Sequence, residues 1–307
     1  MFRLIVLSIA SVFASGAAAG NPMESAFTFQ FQPPDGVRVN LTSVLQRSWS
    51  TEGSTSLKEE AESRTSGVFK RTAQGFEYAP KIVSATMRRN GNLIGDPLTS
   101  LLAKLQPKYI LSSDGEALAI TGFGEVSEQL KASVPPQVAA ALAPIINEEA
   151  LVGQQRAEWN ARYADFAGGK FEIGQVLDVQ APQLLPNGET ITYTIRTSFT
   201  RWETCPAGMC VRIDQIYESD GSALAQMMTN VVNGVVAAAS SPIAPISVAG
   251  QSAARISGSL TRLIDPKTML IYSERLQRTI SMQIESQGRT PEAVRLDETR
   301  TYSYSYE

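Results

Sequence analysis

Long stretches of this chain alternate apolar and polar residues at period two. From Thr190 to Trp202, Ile191, Tyr193, Ile195 and Phe199 fall on one side, and Thr192, Thr194, Arg196, Ser198 and Thr200 on the other. That period belongs to an extended strand with one buried face. Thr268 to Glu285 repeats it, with Leu270, Tyr272, Leu276, Ile280, Met282 and Ile284 set against Ser273, Gln277, Thr279, Ser281 and Gln283. Phe27, Phe29 and Phe31 alternate before the turn Pro33-Pro34-Asp35-Gly36, and Val37, Val39 and Leu41 resume after it, which predicts an opening hairpin. Strands with one wet face are typical of antiparallel sheets and argue against a doubly wound parallel fold.

Helical periodicity is confined to a few segments. Asn147 is a good N-cap with Glu148 and Glu149 in the first turn; Val152, Trp159, Tyr163 and Phe166 then share a face, and Gly168-Gly169 ends the run. Upstream, Pro135-Pro136 and Pro144 divide the chain into helices near Gly124 to Val134 and Gln137 to Leu142. Ser222 to Ala239 carries Leu224, Met227, Met228, Val231, Val232, Val235 and Val236, and polar residues interrupt it, so it reads as a helix pressed into a sheet and not as a membrane span. A short helix is expected near Pro97 to Leu105.

Two stretches share an order of elements: strands, a helix, a strand, a turn at Asp114-Gly115 or Asp265-Pro266, and another strand. The expected fold is therefore α+β, with predominantly antiparallel curved sheets and a few helices in two related sheet-plus-helix halves. The halves are expected over 20–123 and 170–307, joined by a helical connector over 124–169. This expected architecture is similar to the half-barrels of periplasmic lipid and lipoprotein carriers, an analogy of shape that no motif carries.

Residues 1–19 read as an export signal: Arg3, an apolar run from Leu4 to Phe13, and the small residues Ala17-Ala18-Ala19. A periplasmic or secreted location follows, with no membrane-spanning segment expected after the signal is removed. Two cysteines, Cys205 and Cys210, flank the turn formers Pro206 and Gly208, so an exported chain is expected to join them across a hairpin. Lys and Arg number 27 against 30 Asp and Glu, with no basic block, which excludes a nucleic-acid surface.

Catalytic signatures are sparse. With no histidine, the usual triads and most zinc sites are excluded as commonly built, and no metal or cofactor is expected. No catalytic residue is singled out. Neighbouring pairs such as Glu59-Glu60 and Glu148-Glu149 point in different directions and read as solvated surface. The methionines read as core filler, and the terminal alternation Tyr302, Tyr304, Tyr306 as a last strand with an aromatic face.

One arrangement calls for explanation. Counting by twos, Arg262 falls between Leu260 and Ile264, and Glu274 and Arg278 fall on the apolar face of the returning strand. A three- or five-residue loop makes the two faces coincide; in the five-residue case Arg262 opposes Tyr272 and lies diagonal to Glu274. Either an ion pair bends its charged ends toward water, or Arg262 and Arg278 meet the acidic head of an amphiphile lying along Leu260, Tyr272, Leu276 and Ile280, since a guanidinium donates two parallel bonds to a carboxylate or phosphate. The function classes left open are a carrier or binder of a hydrophobic or amphiphilic ligand in the cell envelope, an envelope protein that docks on another protein by an exposed edge such as the Tyr strand, and a hydrolase using carboxylates alone.

Overall fold

The computed structural model describes residues 25–51, 57–94, 105–185, 189–238, 246–248, 254–286 and 292–307. The export signal over 1–19 lies outside the described residues, as does the helix expected near Pro97 to Leu105 apart from Leu105 itself. In chain order the strands of the first part are β1 (Ala26–Thr28), β2 (Arg38–Thr51), β3 (Leu57–Thr72), β4 (Gly75–Tyr78), β5 (Lys81–Arg89), β6 (Asn92–Leu93), β7 (Lys108–Ser112) and β8 (Ala117–Thr121). Three helices follow, α1 (Gly124–Ala132), α2 (Pro136–Ile146) and α3 (Glu148–Arg162). Then come β9 (Lys170–Glu172), β10 (Val176–Leu184), β11 (Thr190–Cys205), β12 (Gly208–Asp220), α4 (Ser222–Ala238), β13 (Ile246–Val248), β14 (Ala254–Ile264), β15 (Ile271–Ser286) and β16 (Glu292–Tyr306).

Fourteen of these strands form one sheet, in which every pairing is antiparallel. Its path is β10-β11-β12-β14-β15-β16-β2-β3-β4-β7-β8, with β5 and β6 branching from β3 and β13 lying beside β15. The end strands β10 and β8 do not pair, so the sheet curves without closing. This is the expected α+β class. Strands early and late in the chain meet along β2 and β16, in register from Val39↔Tyr306 to Thr51↔Val294.

Three local expectations change. The opening hairpin is absent: β1 pairs with β9 in a separate two-stranded sheet, and Gln30 and Gln32 donate to the carbonyls of Pro266 and Thr268. The rings decide this, because Phe27, Phe29 and Phe31 are all buried in a cluster that no exposed hairpin offers. The Tyr strand is not an edge, since β15 and β2 flank it. Pro144 lies inside α2 and not beyond its end; close to the C-terminus the lost amide costs a single bond, and Asn147 both closes α2 on Ala143 and caps α3 through Ala150.

The cysteines are joined, Cys205 to Cys210 with Cα atoms 5.8 Å apart, across the β11–β12 hairpin. Gly208 supplies the positive φ of 109° that its turn requires.

Inward-facing side chains form two cores. An aromatic one joins Phe29, Phe69, Phe76, Phe199 and Tyr109 to Trp159, Tyr163 and Phe166 from α3 and the turn after it. An aliphatic one sets Ile191, Ile256, Ile280, Met282 and Leu296 against Ala225 and Met227 of α4. Between them the strand centres are covered less completely: Leu41, Leu45, Ala61, Leu260 and Leu276 are half-buried.

Candidate functional site

The half-covered middle of the inner face carries the unusual chemistry. Arg262 on β14 and Glu274 on β15 are direct cross-strand partners, and the side chain of each is 4 % exposed. Arg262 Nη2 stands 2.7 Å from Glu274 Oε2, and Arg162, the last residue of α3, donates Nε and Nη2 to Oε1 of the same carboxylate at 3.3 and 3.1 Å. Arg262 Nη1 also donates to the Arg162 carbonyl at 3.3 Å, tying helix to sheet. Burial alone would raise the Glu274 carboxyl, but the two guanidiniums outweigh it and push it down to about 2.

This register differs by two residues from the one expected. The connection runs from Asp265 to Leu270, with a bulge at Ile264/Ile271. Asp265 holds it closed: its carboxylate accepts from Lys267 N at 3.0 Å and Thr268 Oγ1 at 2.6 Å, and its carbonyl accepts from Met269 N at 2.7 Å. Met269 takes a left-handed φ of 57°, a conformation that sequence counting does not anticipate for a buried methionine. The longer loop turns a diagonal pair into a direct one, and the charged ends are buried and do not reach toward water.

One strand further, Glu298 on β16 collects three more arginines. It accepts from Arg47 Nε at 2.6 Å, Arg278 Nη2 at 3.0 Å and Arg300 Nε at 2.8 Å, and its side chain has no solvent exposure. Its acidity is also strengthened, the guanidiniums outweighing the desolvation that would raise its pKa. Arg278 Nε is buried without a hydrogen bond among the described residues. Beyond Arg47, Glu59 pairs with Arg89 at 2.9 Å. The two hydrogen-bonded clusters thus hold five guanidiniums to two carboxylates, a surplus of three positive charges. Glu158, one turn back on α3, adds its field at Arg162. Arg47, Arg278 and Arg300 are 29–30 % exposed at their side chains, so all three keep some contact with solvent.

Beside Arg162 the inner face opens into a cavity of about 210 Å³. It forms where β3 forks: Glu59 to Ser66 pair with β5, while Phe69 to Thr72 pair with β4. Its walls are Phe69, Tyr78, Tyr109, Trp159, Tyr163, Tyr304 and Tyr306, with Leu41 and Ile82 among the aliphatic residues and Arg162 as the charged one. Gly67 lets Tyr78 lie across the strand, because a Cβ there would stand 2.7 Å from the ring. Trp159 Nε1 donates to Gly115 O at 2.8 Å, and Tyr109 donates to Gln155 at 3.1 Å. Burial raises the pKa of Tyr78, Tyr163, Tyr304 and Tyr306, and takes Tyr109 up to about 12, so the wall carries no phenolate at neutral pH.

Of the residues singled out in the sequence, Arg262, Glu274 and Arg278 do share one face with Leu260 and Leu276, which are direct cross-strand partners. Tyr272 sits at the edge of the aromatic core, its ring 5.2 Å from that of Tyr306. Arg47, Arg162, Glu298 and Arg300 were not singled out. A signal for two of them was present, since Glu298, Arg300 and Tyr302 continue the inward count of Val294 and Leu296.

No protein-family model matches the sequence, and no curated protein matches it. Among solved structures, the chain is similar to one described as showing lipid-protein interactions in lipovitellin, with a TM-score of 0.43 and 8% identity over 89% of this chain and 26% of that one. It is also similar to DynF from the dynemicin biosynthesis pathway of Micromonospora chersina, with a TM-score of 0.20 and 8% identity over 94% and 92% of the two chains. The chain spans about a quarter of the lipovitellin chain's length, and at these scores neither likeness assigns it a family.

Proposed function

We propose that this protein is an exported binding protein, without catalysis of its own, that holds an organic acid with an apolar body on the inner face of its sheet. The arginine surplus supports this reading most directly: five guanidiniums share two carboxylates on a face that also presents Leu41, Leu45, Leu260 and Leu276 half-covered. A carboxylate or phosphate bound there would gain charge-assisted hydrogen bonds, and its apolar part would cover the leucines. Arg278 and Arg300 are assigned the direct contacts; Arg262, Glu274 and Tyr272 hold the arrangement beneath, and Leu260 and Leu276 meet the apolar body.

Glu274 and Glu298, the carboxylates of this face, have lowered pKa values, whereas a glycosidase-type general acid needs a raised one, which disfavours these two as a hydrolytic pair. Export rests on the leader-like residues 1–19 and agrees with a disulfide in a chain that has two cysteines. The test is calorimetric titration of the purified protein with oleate and with the uncharged oleyl alcohol. Oleate is expected to bind at least tenfold more tightly, and Arg278→Leu with Arg300→Leu to remove that preference. Equal binding of acid and alcohol, or oleate binding indifferent to both substitutions, would overturn the proposal.

A further inference from the structure

The cavity beside Arg162 lies apart from Arg278 and Arg300, and its size limits what it can hold. It is too small to swallow a long acyl chain: an engineered apolar cavity of about 150 Å³ takes one benzene ring, and this one measures about 210 Å³. Its wall is also unusual in kind. Aromatic rings from four directions, including Phe69 of β3, Tyr109 of β7, Trp159 of α3 and Tyr304 of β16, surround the space. Their packing already uses mutual edge and tilted contacts, with Trp159 4.9 Å from Tyr109 and 4.6 Å from Tyr163. A flat guest with a π-face and a positive rim continues that packing, which a flexible alkyl chain does not.

Charge places the acid group. Arg162 is the charged residue of the cavity wall; it shares the carboxylate of Glu274 with Arg262, with Glu158 also close enough to act on it, and its side chain keeps 26 % exposure, so it is the group there able to donate to an acid. The tyrosine hydroxyls around it stay protonated and offer no competing anion. Extending the organic-acid reading above, we infer that this cavity is a second subsite of the inner face, apart from Arg278 and Arg300, and that it takes a compact aromatic acid of one or two fused rings, its ring system inside the cavity and its carboxylate toward Arg162.

The experiment compares 2-naphthoate with decanoate, acids of similar carbon count, by calorimetry on the wild-type protein. Naphthoate is expected to bind at least tenfold more tightly. Ile82→Trp and Leu105→Trp each add a ring into the cavity from a different wall residue, and each is expected to weaken naphthoate at least tenfold while changing oleate less than threefold. Decanoate binding as well as naphthoate in the wild type, or naphthoate binding unchanged in a folded occluding variant, would overturn the aromatic assignment. Should oleate still bind and still depend on Arg278 and Arg300, the broader organic-acid reading would survive that failure; loss of binding by all three acids would remove both.

Discussion

Replacing Glu274 with glutamine removes one charge and keeps the side chain's shape, so Arg162 and Arg262 lose their shared partner while the packing around them is held. The size of the effect follows from the carboxyl's acidity. Its pKa falls from an ordinary 4.5 to about 2 in the folded protein, and at about 1.4 kcal/mol per pH unit that drop corresponds to roughly 3 kcal/mol of stability at neutral pH. This agrees with the 3–5 kcal/mol or so lost when one partner of a buried pair is removed. The sign is fixed by the direction of the drop. A depressed folded-state pKa gives stability that is complete above about pH 4.5 and is lost as the pH falls toward 2. Urea unfolding of both proteins, from pH 7 down to pH 3, should therefore show Glu274→Gln less stable by roughly 3 kcal/mol at pH 7, with the gap narrowing below about pH 4.5. Other carboxylates with strengthened acidity, Glu298 among them, titrate in both proteins and cancel in the difference. A gap below about 1 kcal/mol at pH 7, or one that does not change with pH, would refute the charge argument.

Three further outcomes are expected. Cys205→Ser with Cys210→Ser opens a ring of six residues and should lower unfolding stability by about 2 kcal/mol, read as a shifted urea midpoint that the reduced wild type reproduces. Gly67→Ala places a methyl 2.7 Å from Tyr78 Cε2 and 2.9 Å from Pro80 Cα, so thermal unfolding should reveal a loss of about 1–3 kcal/mol, accompanied by weaker naphthoate binding because Tyr78 lines the cavity. Asn147→Ala removes the cap on Ala150 N and should cost about 1 kcal/mol in the same measurement, with oleate affinity unchanged.

Local periodicity made the strand faces legible. Ile191, Phe199, Leu270, Ile280 and Met282 are buried as the alternation requires, and Arg262, Glu274 and Arg278 do lie on the apolar side. What periodicity cannot carry is partnership between distant strands. Arg47 and Glu298 stand 251 residues apart in sequence, and only the closure of β16 on β2 brings them together. The loop after Ile264 misled the count for a different reason: a bulge and a left-handed Met269 absorb the residues that simple hairpin rules leave out. Phe27, Phe29 and Phe31 alternate as a hairpin strand would, yet the aromatic core they enter is supplied by Phe171, Phe199 and α3, all far along the chain. The cavity was illegible for the same reason, since its walls are drawn from β2, β3, β4, β5, β7, α3 and β16.

The arginine belt is hard to account for as a device of stability. Apolar side chains of similar volume would hold the middle of the sheet at least as well, because desolvating an ion pair consumes most of what its attraction returns. A register-setting role explains part of it: Arg47 faces Glu298 and Arg262 faces Glu274 directly across their ladders, so a slip of one residue would break both contacts. Register, however, needs one cation per anion. Arg278 faces Glu298 from β15, but Arg300 sits on the same strand as Glu298, two residues along, where it opposes Leu45 and fixes no register with that acid. Arg162 comes from a helix and duplicates what Arg262 already supplies. It is the unmatched cations, partly open to solvent beside half-covered leucines, that neither packing nor register requires, and a bound anion is the simplest partner that would complete them.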